Sequence, residues 1–434
     1  MYTVCLPEEI WMIVFKYLSK SDWLKIRSCC KCFKRLIDHP SLWRSEFIVL
    51  RKLRSFNDGF WKTLRRRTQA NVRVVNVNGR HWDIIVKNLP WLKAVIIEFT
   101  DGRTVDSDVL ANLNRLTKLK MLVIQSFDHA GLVKKLPSMS QLEHLSFCLL
   151  PSSIGPNLLE ILSQLSNLTS LHYHEGRSHT PKHIFHAMLN GLPKLRNLSI
   201  RWCFNNSWCV PLPDDYFGYA GTALDSSGRG DFALTSLELL NYTDPLLSPV
   251  ALDHLPLLEK LTVNYHRGAT HRNTCHLKGW LRSLSHLTEL AVNYSQPLGV
   301  YADTLPTTLR KLSLSGTWAE PEDLVTVKRT VPDLLHLNYS PFVYNPHNFS
   351  EIPKAFNKLQ SLQIRYHGLC AKDLAGLGGM QHLKRLVITA APADHSAISS
   401  ELLTQVQMLR AHGVQVVLTQ GGSDEEQFFI CHPC

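Results

Sequence analysis

Residues 287–292 read LTELAV, 309–314 LRKLSL, 334–339 LLHLNY, 359–364 LQSLQI and 383–388 LKRLVI. Each puts large apolar side chains at its first, fourth and sixth positions. The last two of these stand two residues apart, the spacing of one face of a β-strand. Working outward, the same unit recurs in thirteen instances, from Val72-Val75-Val77 through Leu119-Leu122-Ile124 and Leu195-Leu198-Ile200 to Leu383-Leu386-Ile388. Successive middle residues are 20 to 29 apart, except for one interval of 39 between Leu198 and Leu237. A single strand of this kind buries one face and has no core of its own, so copies at near-constant spacing must stack and share one. The intervening returns carry helix signals: Ser248-Pro249 before Val250–His254, Pro321-Glu322-Asp323 before Leu324–Arg329, and Ser400-Glu401 before Leu402–Arg410 with Gly413 as the stop. A last strand-like run, Val414–Leu418, closes the array.

The thirteen units resemble leucine-rich repeats, whose period is one short strand plus a helical return. That family usually places Asn or Cys three positions past the third apolar residue. Here only Cys203 fits, with Thr100, Ser295 and Thr317 as polar substitutes, while Phe127, Leu150, Tyr242 and Phe342 occupy the same position elsewhere. The resemblance implies a solenoid whose curvature is irregular.

The N-terminus is built differently. Residues 6–18, LPEEIWMIVFKYL, form a short helix-like stretch in which only Lys16 is charged after Ile10. Pro7 suits a first helical turn, and Glu8 and Glu9 complement its positive end. An ordinary surface helix keeps a polar face, so large apolar groups on both sides point to a partner. Leu6-Pro7-Glu8-Glu9-Ile10, Phe15, Leu18, Asp22, Leu24, Cys29 to Phe33, Leu36, Asp38, Pro40 and Leu42-Trp43-Arg44 together resemble the F-box motif. In that family a three-helix segment docks on the Skp adaptor of a cullin-based ubiquitin ligase. The resemblance makes Leu6, Pro7, Ile10, Ile13, Phe15 and Leu18 adaptor-contact candidates and assigns Leu36 and Trp43 to the small core. Cys29, Cys30 and Cys32 read as small buried thiols rather than a metal or redox cluster.

These readings give an α/β chain: an F-box at 1–48, a basic linker helix at 49–70, a solenoid of about 13 repeats at 71–420 with a parallel sheet on its concave face, and an acidic tail at 421–434. No signal peptide or membrane span is expected, and 11 cysteines, an odd number, suit the reduced cytoplasm or nucleus. The formal net charge is +11, densest over 51–67, where seven Lys and Arg face one acid, Asp58. That stretch reads either as a nucleic-acid or nuclear-address segment, or as a linker helix packing Leu53, Phe56, Phe60, Trp61 and Leu64 inward.

In a leucine-rich solenoid the residues between and just after the strand leucines face the concave side. In that register His172, His174, Arg201, Trp202, Tyr265, Tyr294, Arg365 and Tyr366 are substrate-binding candidates, the aromatics and Arg being typical of binding hot spots. The long interval after Ile200, rich in aromatics and turn residues, is either a second contact region or packing for the solenoid itself. No GxxxxGK[ST], HExxH or GxSxG occurs, so no catalytic residue, metal or cofactor is expected. His183 and His186 have an i, i+3 spacing but read as return-helix histidines. The two resemblances together imply a substrate receptor of a ubiquitin ligase, bound to the Skp adaptor and through it a cullin, with a protein substrate on the repeats. The other reading is a scaffold or nucleic-acid platform whose F-box serves only its own turnover.

Overall fold

The computed structural model describes residues 6–51, 53–99, 107–125, 136–148, 155–175, 180–202, 211–218, 234–244, 246–266, 275–343, 345–365, 369–390 and 400–420. The acidic tail, Thr100, Phe127, Leu150 and Cys203 lie outside them. The chain forms two compact units, residues 1–171 and 172–434. Fifteen parallel strands follow chain order in an open sheet.

The first unit opens with four helices: α1 (Glu8–Lys16), α2 (Lys20–Cys29), α3 (Lys31–Ile37) and α4 (Pro40–Trp43). Their boundaries follow from local chemistry. The Ser19 hydroxyl accepts from the Asp22 amide and caps α2. Cys30 is extended, ends α2 and caps α3 through its Sγ. Pro40 takes the first turn of α4, where a missing N–H costs nothing. Phe15, Trp23, Leu36, Ile37, Leu42 and Trp43 form the core between these helices, as expected for Leu36 and Trp43. Burying each contributes roughly 1.5–3 kcal/mol. Both indoles are satisfied: Trp23 donates to the Phe15 carbonyl at 2.6 Å and Trp43 to that of Ile37 at 2.5 Å.

The sheet starts earlier than the repeat pattern predicts. Ile48–Leu50 is a strand, and Ile48 and Leu50 pair with Val72 and Val74 of the strand Asn71–Val75. The next register, Val72 to Val95 and Val74 to Ile97, corrects the first triplet: its members are Gln69, Val72 and Val74, not Val72, Val75 and Val77. The polar Gln69 hides the unit in an apolar count. It is fully buried and donates to the carbonyls of Glu46 and Asn71, both at 2.7 Å. Between these strands lies α5 (Asp58–Arg66), with Leu53, Trp61 and Leu64 buried and Phe56 stacked on Phe60 at 4.1 Å. The packing is that of a linker helix.

In the second unit the leucine ladder runs in unbroken register. Leu198, Leu237, Leu261, Leu290, Leu312, Leu337, Leu362, Leu386 and Val416 pair in turn. The partner row, Ile200 to Ile388, is equally buried, and exposure returns at Leu418 on the last strand, Gln415–Gln420. The 39-residue interval leaves the ladder intact, since Leu198 pairs directly with Leu237. Its described part, 211–218, packs on the preceding return helix, Lys182–Gly191: Tyr216 and Phe217 are buried against Phe185, and the Tyr216 carbonyl meets His186 Nε2 at 2.9 Å. The family's Asn/Cys position is filled where Ser295 and Thr317 stand. Both are buried, their hydroxyls 3.2 Å apart, and Ser295 also meets the Tyr301 hydroxyl at 3.0 Å. Tyr242 instead donates its own hydroxyl to Asp244, two residues on, at 2.9 Å.

Gly316 makes the turn after the strand Lys311–Ser315 with φ +60°, and a Cβ there would sit 2.5 Å from the Tyr294 ring. The left-handed conformation alone costs an alanine about 1–2 kcal/mol. Gly316→Ala should therefore lower the unfolding free energy from urea titration by at least that much, and an unchanged value would contradict this account of the turn.

Candidate functional site

α1 sorts its side chains onto two faces. Phe15 is 1 % exposed, and Trp11, Met12 and Leu18 pack against the same core. Ile10 is 42 %, Ile13 50 %, Val14 37 % and Tyr17 86 % exposed. Their spacing, i, i+3, i+4 and i+7, is one stripe of a helix. Leu24 of α2 is also exposed. Of the residues expected at a partner contact, Pro7, Ile10 and Ile13 are exposed, Leu6 and Leu18 are half-buried, and Phe15 is a core residue. Phe15 is thus a correction: its large apolar side chain fits either face, and the helical period places it with Trp11. Val14, Tyr17 and Leu24 are exposed apolar residues outside the expected set, although the helical period marks the first two. The cysteine expectation is corrected as well, because Cys29, Cys30 and Cys32 are all exposed at the α2–α3 junction.

The first unit also holds a buried ionic centre. The Asp38 side chain is almost fully buried and receives Arg27 in a two-bond fork at 2.9 and 3.0 Å, Arg67 at 2.9 and 2.5 Å, and Arg66. Burial alone would raise the Asp38 pKa, but hydrogen bonds from Arg27 and Arg67 outweigh it and hold the carboxyl below its ordinary value. Arg67 also stacks 3.8 Å from the centroid of the Trp43 ring. Two arginines of the basic stretch therefore help join α5 to the helices, Arg67 from a buried position and Arg66 with its side chain still largely exposed.

On the second unit, Ser199 and Glu238 occupy the same row of adjacent paired strands. His172 Nδ1 lies 2.7 Å from the Ser199 hydroxyl, which donates to Glu238 Oε2 at 2.5 Å. Because Ser199 gives its proton to Glu238, its oxygen accepts from His172. Further along, Glu289 bridges Lys260 at 3.0 Å and Lys311 at 3.4 Å.

The other expected contacts divide. Arg365 is exposed, Arg201 and Tyr294 are half-buried, and Tyr366 lies outside the described residues. Trp202, Tyr265 and His174 are buried, which corrects their assignment to the binding face. Parity explains the first two: Trp202 follows Ile200 by two residues and Tyr265 follows Val263 by two, so both point inward with those core residues. Trp202 meets Tyr242 edge-on at 5.7 Å, and Tyr242 meets Tyr265 at 5.4 Å. Burial, with His172 and Arg201 nearby, pushes the His174 pKa down to about 2, so its ring stays neutral. Ser199 was missed because a small hydroxyl residue between two core positions carries no distinguishing signal. His183 is exposed and His186 buried. Among the described residues no three His, Cys, Asp or Glu converge as metal ligands, and no helix is long and apolar enough to cross a membrane.

Residues 3–48 match the F-box-like family model, so the chain carries an F-box-like domain on the helices just described. Behind it stands a leucine-rich-repeat array, defined by the register of the chain's own strands. No curated protein matches the chain. Solved structures similar to it include a chain of the yeast Rad7 and Elc1 complex, 16 % identical over 82 % of this chain and 91 % of that one, with a TM-score of 0.49. The leucine-rich repeat-containing protein LegL7 from Legionella pneumophila is 13 % identical over 74 % of this chain and 91 % of its own, with a TM-score of 0.42. An internalin from Listeria monocytogenes is 15 % identical over 73 % and 81 %, with a TM-score of 0.37.

Proposed function

We propose that the chain is the substrate-recognition subunit of an SCF (Skp–cullin–F-box) ubiquitin ligase, working in the cytoplasm or nucleus. The exposed row Ile10, Ile13, Val14 and Tyr17 within the F-box-like match carries this reading, because four large apolar groups on one helical stripe are costly to leave wet. That row docks on the Skp adaptor, and the repeats hold a target protein. The strand-face residues His172, Ser199, Glu238, Arg201 and Arg365 supply polar contacts for the target. The work done is proximity: a tethered target meets the transfer centre at a raised effective concentration, and no residue of this chain performs bond chemistry. With Arg67 buried between Asp38 and the Trp43 ring, the basic stretch lends less support to a nucleic-acid platform.

The test is capture of purified Skp adaptor by the full chain and by Ile10→Asp/Ile13→Asp. Removing two central apolar anchors is expected to weaken capture by about 30-fold or more. The melting temperature should hold, since both residues are exposed. Equal capture by both proteins would remove the basis of the reading.

A further inference from the structure

A second unpartnered surface lies in the second unit, at the C-terminal ends of three adjacent strands. Glu289–Asn293, Lys311–Ser315 and His336–Ser340 are paired in register, and their pairing continues into the loops that follow. The Gly316 amide donates to the Ser340 carbonyl at 2.7 Å, the Phe342 amide to the Thr317 carbonyl at 3.2 Å, and the Leu298 amide to the Trp318 carbonyl at 2.8 Å. The loops are therefore bonded to one another through their backbones. On this rim Trp318 is 48 %, Phe342 72 % and Val343 49 % exposed.

The charge around these side chains is unlike that of the whole chain. Against a net charge of +11, residues 295–353 hold six acids and four Lys or Arg, the latter being Arg310, Lys311, Lys328 and Arg329. Three of the six are neutralised from outside: Asp303 by Lys278, Asp333 by Lys358 and Glu351 by Lys354. The other three, Glu320, Glu322 and Asp323, pair with no Lys or Arg among the described residues. Asp323 is occupied in capping, accepting the Glu320 amide at 2.9 Å. Glu320 accepts the Trp318 indole N–H at 2.7 Å, which holds the ring beside a carboxylate.

An exposed indole next to carboxylates is the chemistry that takes a guanidinium or ammonium: the ring face attracts the cation and the carboxylate accepts its hydrogen bonds. Phe342 and Val343 add an apolar seat beside it. The same carboxylates repel phosphate, so a nucleic acid is disfavoured at this place. We infer that the rim of Trp318, Phe342, Val343, Glu320 and Glu322 is a docking surface for a protein segment carrying Lys or Arg beside an aromatic or aliphatic side chain. This surface is separate from α1, and its test does not depend on adaptor binding.

The probe is a random dodecapeptide library displayed on phage, selected on the immobilised full chain. The recovered peptides are expected to combine Lys or Arg with an aromatic or aliphatic residue. They should bind at least about tenfold more weakly to Trp318→Ser and to Phe342→Ser, in line with the loss of a hot-spot residue. Glu320→Gln/Glu322→Gln, which leaves the apolar seat in place, should weaken basic peptides and flatten their salt dependence. Absence of enrichment, peptides without basic residues, or equal binding by the Trp318 and Phe342 variants would overturn the inference. Sedimentation showing a dimer that those two substitutions dissolve would overturn it too, by assigning the rim to a second copy of the chain.

Discussion

Asp38→Ala is expected to cost the N-terminal helices about 3–5 kcal/mol, the loss typical of removing one partner from a buried ion pair. Three guanidinium groups converge on this single carboxylate, and Arg67 is itself buried beneath the Trp43 ring. Without Asp38, Arg67 has no counter-charge and faces the like charges of Arg27 and Arg66. Burial already pulls the Arg67 pKa down, opposed by the Asp38 hydrogen bond. Asp38→Asn keeps the shape but removes the charge, so it should recover little of the loss. The pH dependence follows from the sign of the shift. The folded-state pKa of Asp38 is depressed below 3.8, so its stabilisation is present above the unfolded value and vanishes as pH falls through the folded one. Urea titrations from neutral pH downward should therefore show wild type losing its advantage over Asp38→Asn only in strong acid. Variants within about 0.5 kcal/mol of wild type at neutral pH would show that the three arginines are satisfied by solvent instead.

The same centre shows where reading along a chain stops being informative. The leucine ladder was legible because each unit repeats its own period, and the register from Val95 to Leu145 and from Leu198 to Leu386 pairs the second and third members of successive units as the spacing predicts. The first unit failed because a buried Gln69 stands where an apolar residue is usual, and because Ile48–Leu50 is too short to show alternation. Contacts between distant segments are another matter. Nothing in the order of residues tells that Arg66 and Arg67 turn toward Asp38, nearly thirty positions earlier, so a charge run looks like a free surface. Candidate contacts failed for a third reason. The rule that residues just after the strand leucines face outward places Trp202 and Tyr265 there, whereas both end their strands with the inward parity of Ile200 and Val263 and fill the interior. Residue type suggests a hot spot, but alternation decides which side of the sheet it occupies. Ser199 and Glu238 have the opposite parity and meet across the outward face of their paired strands.

Trp280→Ala should produce the largest change in the second unit, about 3–5 kcal/mol, and the damage should stay near the site. The ring is fully buried in the helix Leu277–Ser283, and its indole N–H donates to the Ser248 carbonyl at 2.7 Å. It stands 5.5 Å from Tyr242, which in turn contacts Trp202 and Tyr265. The fit admits little relaxation: a Cβ at the neighbouring Gly279 would lie 2.7 Å from the Pro249 carbonyl oxygen, so the helix already touches the preceding return. Truncation therefore leaves a cavity that the backbone cannot close and a carbonyl without its donor. In a solenoid each repeat contacts only its neighbours, so the defect lowers local terms rather than the whole. Amide exchange is expected to accelerate in the strands Ser236–Tyr242, Lys260–Tyr265 and Glu289–Asn293, while strands from His336 onward keep their protection. Trp280→Phe should cost less, because the smaller ring retains most of the volume and loses mainly the hydrogen bond. Uniform loss of protection through to Gln420 would mean that the second unit unfolds as one cooperative block, and the nearest-neighbour account of its stability would have to be abandoned.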